Sequence, residues 1–238
     1  MANKKDNFWI PYADLMTVLM VVFLFISIAY MGLVQYKKNN QDKIFKEYKA
    51  TKESLYNDLN KKFRNDFQQW NLELDKDLSI KFTNPQVLFD DGKSEITPKF
   101  KLILTSFFPK YLSIILQEKY KNKIAEIRIE GHTNNIPIHE TDDPYIDNIK
   151  LSQDRSRNVL QFLRSLSYYK NLTALEEQKL QFWITANGLS YGRTLDSNNN
   201  LTYLSKRIID NQKSRRVEFK IVTTSELLVD EVLKQMKE

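Results

Sequence analysis

No cysteine occurs among the 238 residues, so a disulfide framework and a thiolate metal site are both excluded. Histidine is almost absent as well. His132 and His139 are the only two, which leaves little for an imidazole-based metal centre. There is no nucleophile elbow, no phosphate-binding glycine loop and no zinc-ligand spacing, so the expectation is a protein that is not an enzyme and holds no cofactor or metal. The acidic run Glu140-Thr141-Asp142-Asp143 offers oxygen ligands to a cation, but solvated loop charge is the expected account of it. Glycine and proline number only five and six, and neither occurs between Gln35 and Asp75.

The chain carries a net charge of +6 with a sequence pI of about 9.2. Its lysines are scattered instead of gathered into a basic block, which argues against a nucleic-acid partner. Anionic lipid or an anionic cell-wall polymer fits this balance better.

One stretch stands apart from this polar background. From Leu15 to Val34 twenty residues pass without a charge, interrupted only by Thr17, Ser27, Tyr30 and Gly32. At about 1.5 Å per residue this run crosses a hydrocarbon core of about 30 Å. Lys4 and Lys5 precede it, yet the run exceeds a signal-peptide core and no small-x-small cleavage site follows before Gln35. It reads as an uncleaved anchor over 12–34, with Phe8-Trp9-Ile10 placed for an interfacial belt. Lys37 and Lys38 follow the span, so basic-residue counting does not favour an outside C-terminus. Asp14 sits at the mouth of the run, and an ionisable group there is a functional candidate by default.

Residues 35–75 read as an amphipathic helical linker. Phe45, Tyr48, Leu55, Leu59, Phe63, Phe67, Trp70 and Leu74 recur mostly three or four apart, while position 52 is a lysine. That stripe either packs on the following domain or forms a dimer contact. Residues 76–224 then interleave strands and helices. Leu78, Ile80 and Phe82 alternate as a strand, Asn84-Pro85 turns the chain, and Val87-Leu88-Phe89 forms a short extended piece. Thr97-Pro98 opens a helix reaching Leu116. A strand follows over Ile124–Glu130, and a polar loop, His139–Asp147, leads to a helix from Leu151 or Ser152 to about Leu166. Phe182–Ala186 is a strand ending at Asn187-Gly188, Ser190–Asp210 is loop-like, and Arg216–Val222 is the last strand. Residues 225–238 add a terminal helix. The fold class expected is a single N-terminal transmembrane helix, a helical linker and an α/β (α+β) two-layer domain in the order β-α-β-α-β-β.

Four motifs at the joints of that order resemble the OmpA-like peptidoglycan-binding domain. They are Phe89-Asp90-Asp91-Gly92-Lys93-Ser94, Ile129-Glu130-Gly131-His132-Thr133, Asn148-Ile149-Lys150-Leu151-Ser152-Gln153-Asp154-Arg155-Ser156, and Ser214-Arg215-Arg216-Val217-Glu218. The resemblance implies non-catalytic binding of the diaminopimelate-containing peptide stem, with Arg155, Asn148, Leu151, Asn134, Thr133 and Arg215 as site residues. Arg155, taken as lying in the first turn of its helix, would join its guanidinium to the free N–H groups there against a carboxylate. Asn148 would orient amides and Leu151 would pack on the aliphatic stem. Asn134 departs from the pattern, in which an Asp meets the ligand ammonium; Asp142, Asp143 or Asp147 are alternatives for that charge. Gly131, His132 and Arg215 also admit a purely structural role at the strand ends.

Tyr12-Ala13-Asp14-Leu15-Met16-Thr17 followed by an apolar span is similar to the membrane helix of MotB-type stator B subunits. This resemblance implies an ion-carrying Asp14, a cytoplasmic tail over 1–11, and a periplasmic domain at the bacterial inner membrane. It also implies a homodimer inside a hetero-oligomer with a polytopic MotA- or ZorA-like partner. Thr17, one turn on, would offer its hydroxyl to the ion, against ordinary back-bonding to its own helix. The short tail and the run Asn148–Leu163 look closer to the ZorB type of the Zorya anti-phage motor than to flagellar members. The expected function is a B subunit of a proton- or sodium-driven motor braced on peptidoglycan. A flagellar-type stator subunit and a passive tether needing no Asp14 are the alternatives.

Overall fold

The computed structural model describes residues 9–138 and 141–235, with side chains from Tyr12 to Lys234. Phe8, His139 and Glu140 therefore fall outside what is described, and of Trp9 and Ile10 only the backbone is described, so the interfacial belt lies beyond it. The chain divides into two compact units, one ending at Glu47 and one beginning at Tyr48. Helix α1 (Trp9–Phe63) crosses that boundary. In the first unit it carries the apolar run, a helix long and apolar enough to cross a membrane.

The second unit begins with the rest of α1. Leu55, Leu59 and Phe63 are fully buried in the core, so this part of the linker stripe packs on the domain. Next come α2 (Phe67–Trp70), β1 (Leu72–Leu74), β2 (Ser79–Phe82), α3 (Pro85–Leu88), α4 (Pro98–Ile115), β3 (Ile124–His132) and α5 (Pro144–Ser165). These are followed by α6 (Ser167–Lys170), α7 (Ala174–Trp183), β4 (Ile184–Gly188), α8 (Thr202–Ser205), α9 (Asn211–Ser214), β5 (Arg216–Thr223) and α10 (Thr224–Gln235). The five strands form one sheet in the order β1-β2-β5-β3-β4. β3 and β4 run parallel; the other neighbours are antiparallel.

Helix α4 lays Phe100, Leu104, Phe107, Tyr111 and Leu112 against this sheet. Phe107 centres an aromatic cluster, with Phe63 and Phe82 each 5.1 Å and Phe219 5.0 Å away between ring centroids. Val217, Phe219 and Ile221 alternate into this core as the period-two pattern requires.

Several boundaries differ from the sequence expectation. Leu72–Leu74 is an edge strand inside the stretch read as helical linker, paired with β2. Val87 and Leu88 belong to the short helix α3 instead of an extended piece, since Pro85 stands at its first turn. Helix α5 starts at Pro144, two turns before Leu151, because Asp143 accepts from the backbone N–H groups of Tyr145 and Ile146 and Pro144 suits the first turn. Phe182 and Trp183 end a helix, α7, instead of opening a strand. Burial of Leu180 and Trp183 on one helical face overrides their β propensity.

Two glycines set the height of α5 over the sheet. Gly131 and Gly188 are register partners on β3 and β4. A Cβ on Gly131 would lie 2.3 Å from the carbonyl oxygen of Ser152, and one on Gly188 2.4 Å from the amide nitrogen of Gln153. Only glycine lets the helix backbone come this close.

Candidate functional site

Seated so low, α5 turns Asn148, Leu151 and Arg155 toward the loop that leaves β3. The six residues proposed for the wall site, Thr133, Asn134, Asn148, Leu151, Arg155 and Arg215, all line one open cavity of about 180 Å³. Asp91, Gly92, Ile136 and Ile138 complete it. Sequence reasoning assigned no contact to these four. Asp91 and Gly92 stand in one of the four motifs, but for the two isoleucines the only signal is the apolar Ile136-Pro137-Ile138 between β3 and the polar loop.

Arg155 holds this cavity together. It is 4% exposed, and its Nε–H donates to the Lys93 carbonyl at 2.8 Å. One Nη2–H donates to the Asp90 carbonyl at 3.3 Å, and the guanidinium lies 4.8 Å from the centre of the Phe89 ring. Two of its five donors are thus used on the 89–94 loop, and the others remain for the cavity. Burial lowers its pKa to about 10, Arg215 adds to that, and Asp91 opposes it. The expected support from helix-start N–H groups is corrected: Arg155 lies twelve residues beyond the N-cap Asp143, where the amides are already bonded within the helix.

The remaining lining is fixed by local bonds. Asn148 donates from Nδ2 to the carbonyls of Pro144 at 2.9 Å and Ile136 at 3.2 Å, which ties the β3–α5 loop to the helix. The Thr133 amide donates to the Ser190 carbonyl at 3.0 Å. Its buried hydroxyl has no hydrogen-bond partner among the described residues. Arg215 pairs with Asp91 at the rim. Asp143 caps α5, and Asp147 accepts from the amide and hydroxyl of Thr141. Neither lines the cavity, and neither does Asp142.

Behind the strand end, Glu130, His132 and Glu218 bring ligand-type atoms within 4.8 Å of one another. The Arg216 Nε–H donates to Glu218 Oε1 at 2.5 Å, and Arg193 lies 3.7 Å from Glu130. With two guanidiniums already facing these carboxylates, the group is a buried ion network and not a cation site. Burial, and then Arg216, push the His132 pKa below its usual value. Burial pushes the Glu218 carboxyl up, but the surrounding positive charge, Arg216 included, holds it below the ordinary range.

In the first unit, Asp14 is exposed on α1. The Thr17 hydroxyl donates to the Ala13 carbonyl at 2.8 Å, the back-bonding geometry expected of an ordinary helical threonine.

Residues 88–202 match the OmpA family. Over 236 residues, 98% of this chain and 95% of the relative, the protein is 39% identical to the Zorya protein ZorB of Escherichia coli strain Crooks. The chain belongs to the ZorB family. A second Zorya protein ZorB, from Escherichia coli O139:H28 strain E24377A, is 27% identical over 227 residues, 92% of this chain and 81% of its own. Among solved structures, a putative MotB like protein from Desulfovibrio vulgaris aligns over 73% of this chain and 95% of its own. At 20% identity and a TM-score of 0.48 that likeness is too distant to carry a functional argument.

Proposed function

We propose that this chain is the non-enzymatic B subunit of an ion-driven motor in the inner membrane, working in anti-phage defence. The first unit spans the membrane once with its N-terminus in the cytoplasm. The OmpA-family domain lies in the periplasm and grips peptidoglycan through the Arg155–Arg215 cavity. One span per chain cannot enclose an ion path, so two copies would sit within a polytopic ZorA-like partner. There Asp14 would be alternately charged and neutralised as a proton or sodium ion passes. Neutralisation lowers the cost of facing apolar surface. The wall-bound domain keeps the B subunits from turning, so the torque appears in the partner.

The observation that carries this reading is the 39% identity to a Zorya protein ZorB, which runs through both units. Membership in that family favours the ZorB type over the flagellar alternative. A passive tether would use the same cavity but not Asp14. Asp14→Asn in cells challenged with phage separates the two: a motor loses protection to the level of cells lacking the protein, while protein level and retention on purified peptidoglycan stay unchanged. Full protection by this variant would leave the tether.

A further inference from the structure

We propose that the segment between β4 and β5 carries a second interaction surface, made by Tyr203, Leu204, Lys206, Arg207 and Ile208, which docks on an anionic phospholipid bilayer. It shares no residue with the α5 cavity and does not depend on the wall-binding reading. It does rest on the reading of α1 as a membrane helix.

The backbone of this segment is pinned from below. Leu195 is buried and bridges to Leu201. The Thr202 amide donates to the Thr194 carbonyl at 2.9 Å, the two hydroxyls lie 2.6 Å apart, and the Asp210 amide donates to the Leu195 carbonyl at 2.8 Å. Lys206 closes α8 in the left-handed region at φ 57°, its N–H donating to the Thr202 carbonyl at 2.9 Å. On this framework the large apolar side chains are left in the open: Tyr203 is 75%, Leu204 72% and Ile208 91% exposed. Three such side chains within six residues form a cluster, and not the scattered single apolar residues of an ordinary water-facing surface.

Charge decides the occupant. Residues 197–209 include no acid, while Lys206 and Arg207 are both exposed beside the apolar cluster. The Lys206 Nζ stands 4.4 Å from the centre of the Tyr203 ring, so cation and aromatic face are presented together. The flanking acids are turned to the backbone. Asp196 is fully buried and accepts from the amides of Asn198 and Asn200, and Asp210 accepts from those of Gln212 and Lys213. Glu73 meets the segment at Asn199, before the cluster begins. A tyrosine, two aliphatic side chains and two long cations suit the boundary of an anionic bilayer. The ring and the aliphatic groups enter the acyl edge, and the cations reach the phosphates. An acidic protein groove would satisfy the same charges. Lipid is favoured because α1 is long and apolar enough to cross a membrane, which keeps a bilayer within the surroundings of this chain.

The test holds the full chain in nanodiscs of neutral phosphatidylcholine and floats them with added vesicles of phosphatidylglycerol or of phosphatidylcholine. Binding to the anionic vesicles should exceed binding to the neutral ones by about tenfold or more. Two variants divide the surface. Tyr203→Ser/Leu204→Ser/Ile208→Ser leaves every charge in place, and Lys206→Asn/Arg207→Gln leaves the apolar cluster. Each should weaken binding to the anionic vesicles about fivefold or more, with the denaturant midpoint of the domain unchanged. Phe182→Ser removes an aromatic side chain that is 78% exposed elsewhere and should bind as the wild type does. Undiminished binding by the triple serine variant would mean that the overall positive charge of the chain holds the vesicles, and overturns the proposal. An equal loss with Phe182→Ser also overturns it, as does wild-type protein that binds neither kind of vesicle, which would leave the surface to a protein partner. Failure of the chain to enter nanodiscs overturns the membrane reading of α1 itself, and this inference with it.

Discussion

Between Tyr12 and Tyr36 the large apolar side chains of α1 stand between 40% and 70% exposed, whereas further along the same helix Leu55, Leu59 and Phe63 are fully buried. Residue type and secondary structure are shared, so the difference is one of medium. In water each exposed aliphatic side chain would forgo about 25 cal/mol per Å² of apolar surface. Over twenty consecutive residues that penalty is removed by an apolar surround, hydrocarbon or apolar protein, and not by water. The two regions also hold their function differently. In the first, the candidate chemistry is one carboxylate on an otherwise apolar run. In the second, it is spread over a cavity whose side chains come from four chain segments and depend on one another for position.

The largest way to sharpen this contrast is to remove core volume on each side. Phe219→Ala should cost the domain about 3–5 kcal/mol, read as a lower midpoint in denaturant. Leu24→Ala should leave that midpoint unchanged, because residue 24 belongs to the other unit. Next in size is Gly131→Ala. The added methyl meets the Ser152 backbone and should cost about 1–3 kcal/mol, with peptidoglycan retention falling because α5 is pushed off the cavity. An unchanged midpoint and full retention would mean that the helix height does not control the site.

Acid should act on the domain through its buried network. His132 has a folded pKa below its usual 6.5, so the unfolded chain takes up the proton first. The stability that this provides is complete above pH 6.5 and is lost as pH falls from there toward the folded pKa. Glu218, also lowered, adds a loss in the same direction below its usual 4.5. The denaturant midpoint measured against pH should therefore decline below 6.5, and His132→Asn should flatten that upper part. The smallest effect is expected from Lys93→Ala. Its pair with Asp90 is 3.4 Å long with both side chains mostly exposed, so stability should change by less than about 0.5 kcal/mol.

Much of this was legible in the chain itself. The apolar run, the alternation at Val217, Phe219 and Ile221, and the motif joints led to the long apolar helix, the core and all six proposed lining residues. Misread features were those where local chemistry competes with tertiary context. Asp143-Pro144 is a strong helix start inside a stretch whose polar composition reads as loop, and it places Arg155 mid-helix and not in a first turn. Leu72–Leu74 is too short to declare itself a strand without its partner β2. Phe182 and Trp183 have β propensity but serve a helix. Arg155 showed the deepest gap: its bonds to the Lys93 and Asp90 carbonyls span more than sixty residues of sequence, and no spacing rule announces them.

Ion flux tests the motor account most directly. The chain would be reconstituted into proteoliposomes with the proposed polytopic ZorA-like partner, and flux compared between the wild type and Asp14→Asn in complexes of equal composition. The account predicts flux through the wild-type complex and none through the variant, with both still retained on peptidoglycan. Equal flux through the two would contradict it and return Asp14 to an ordinary residue at the start of a membrane helix.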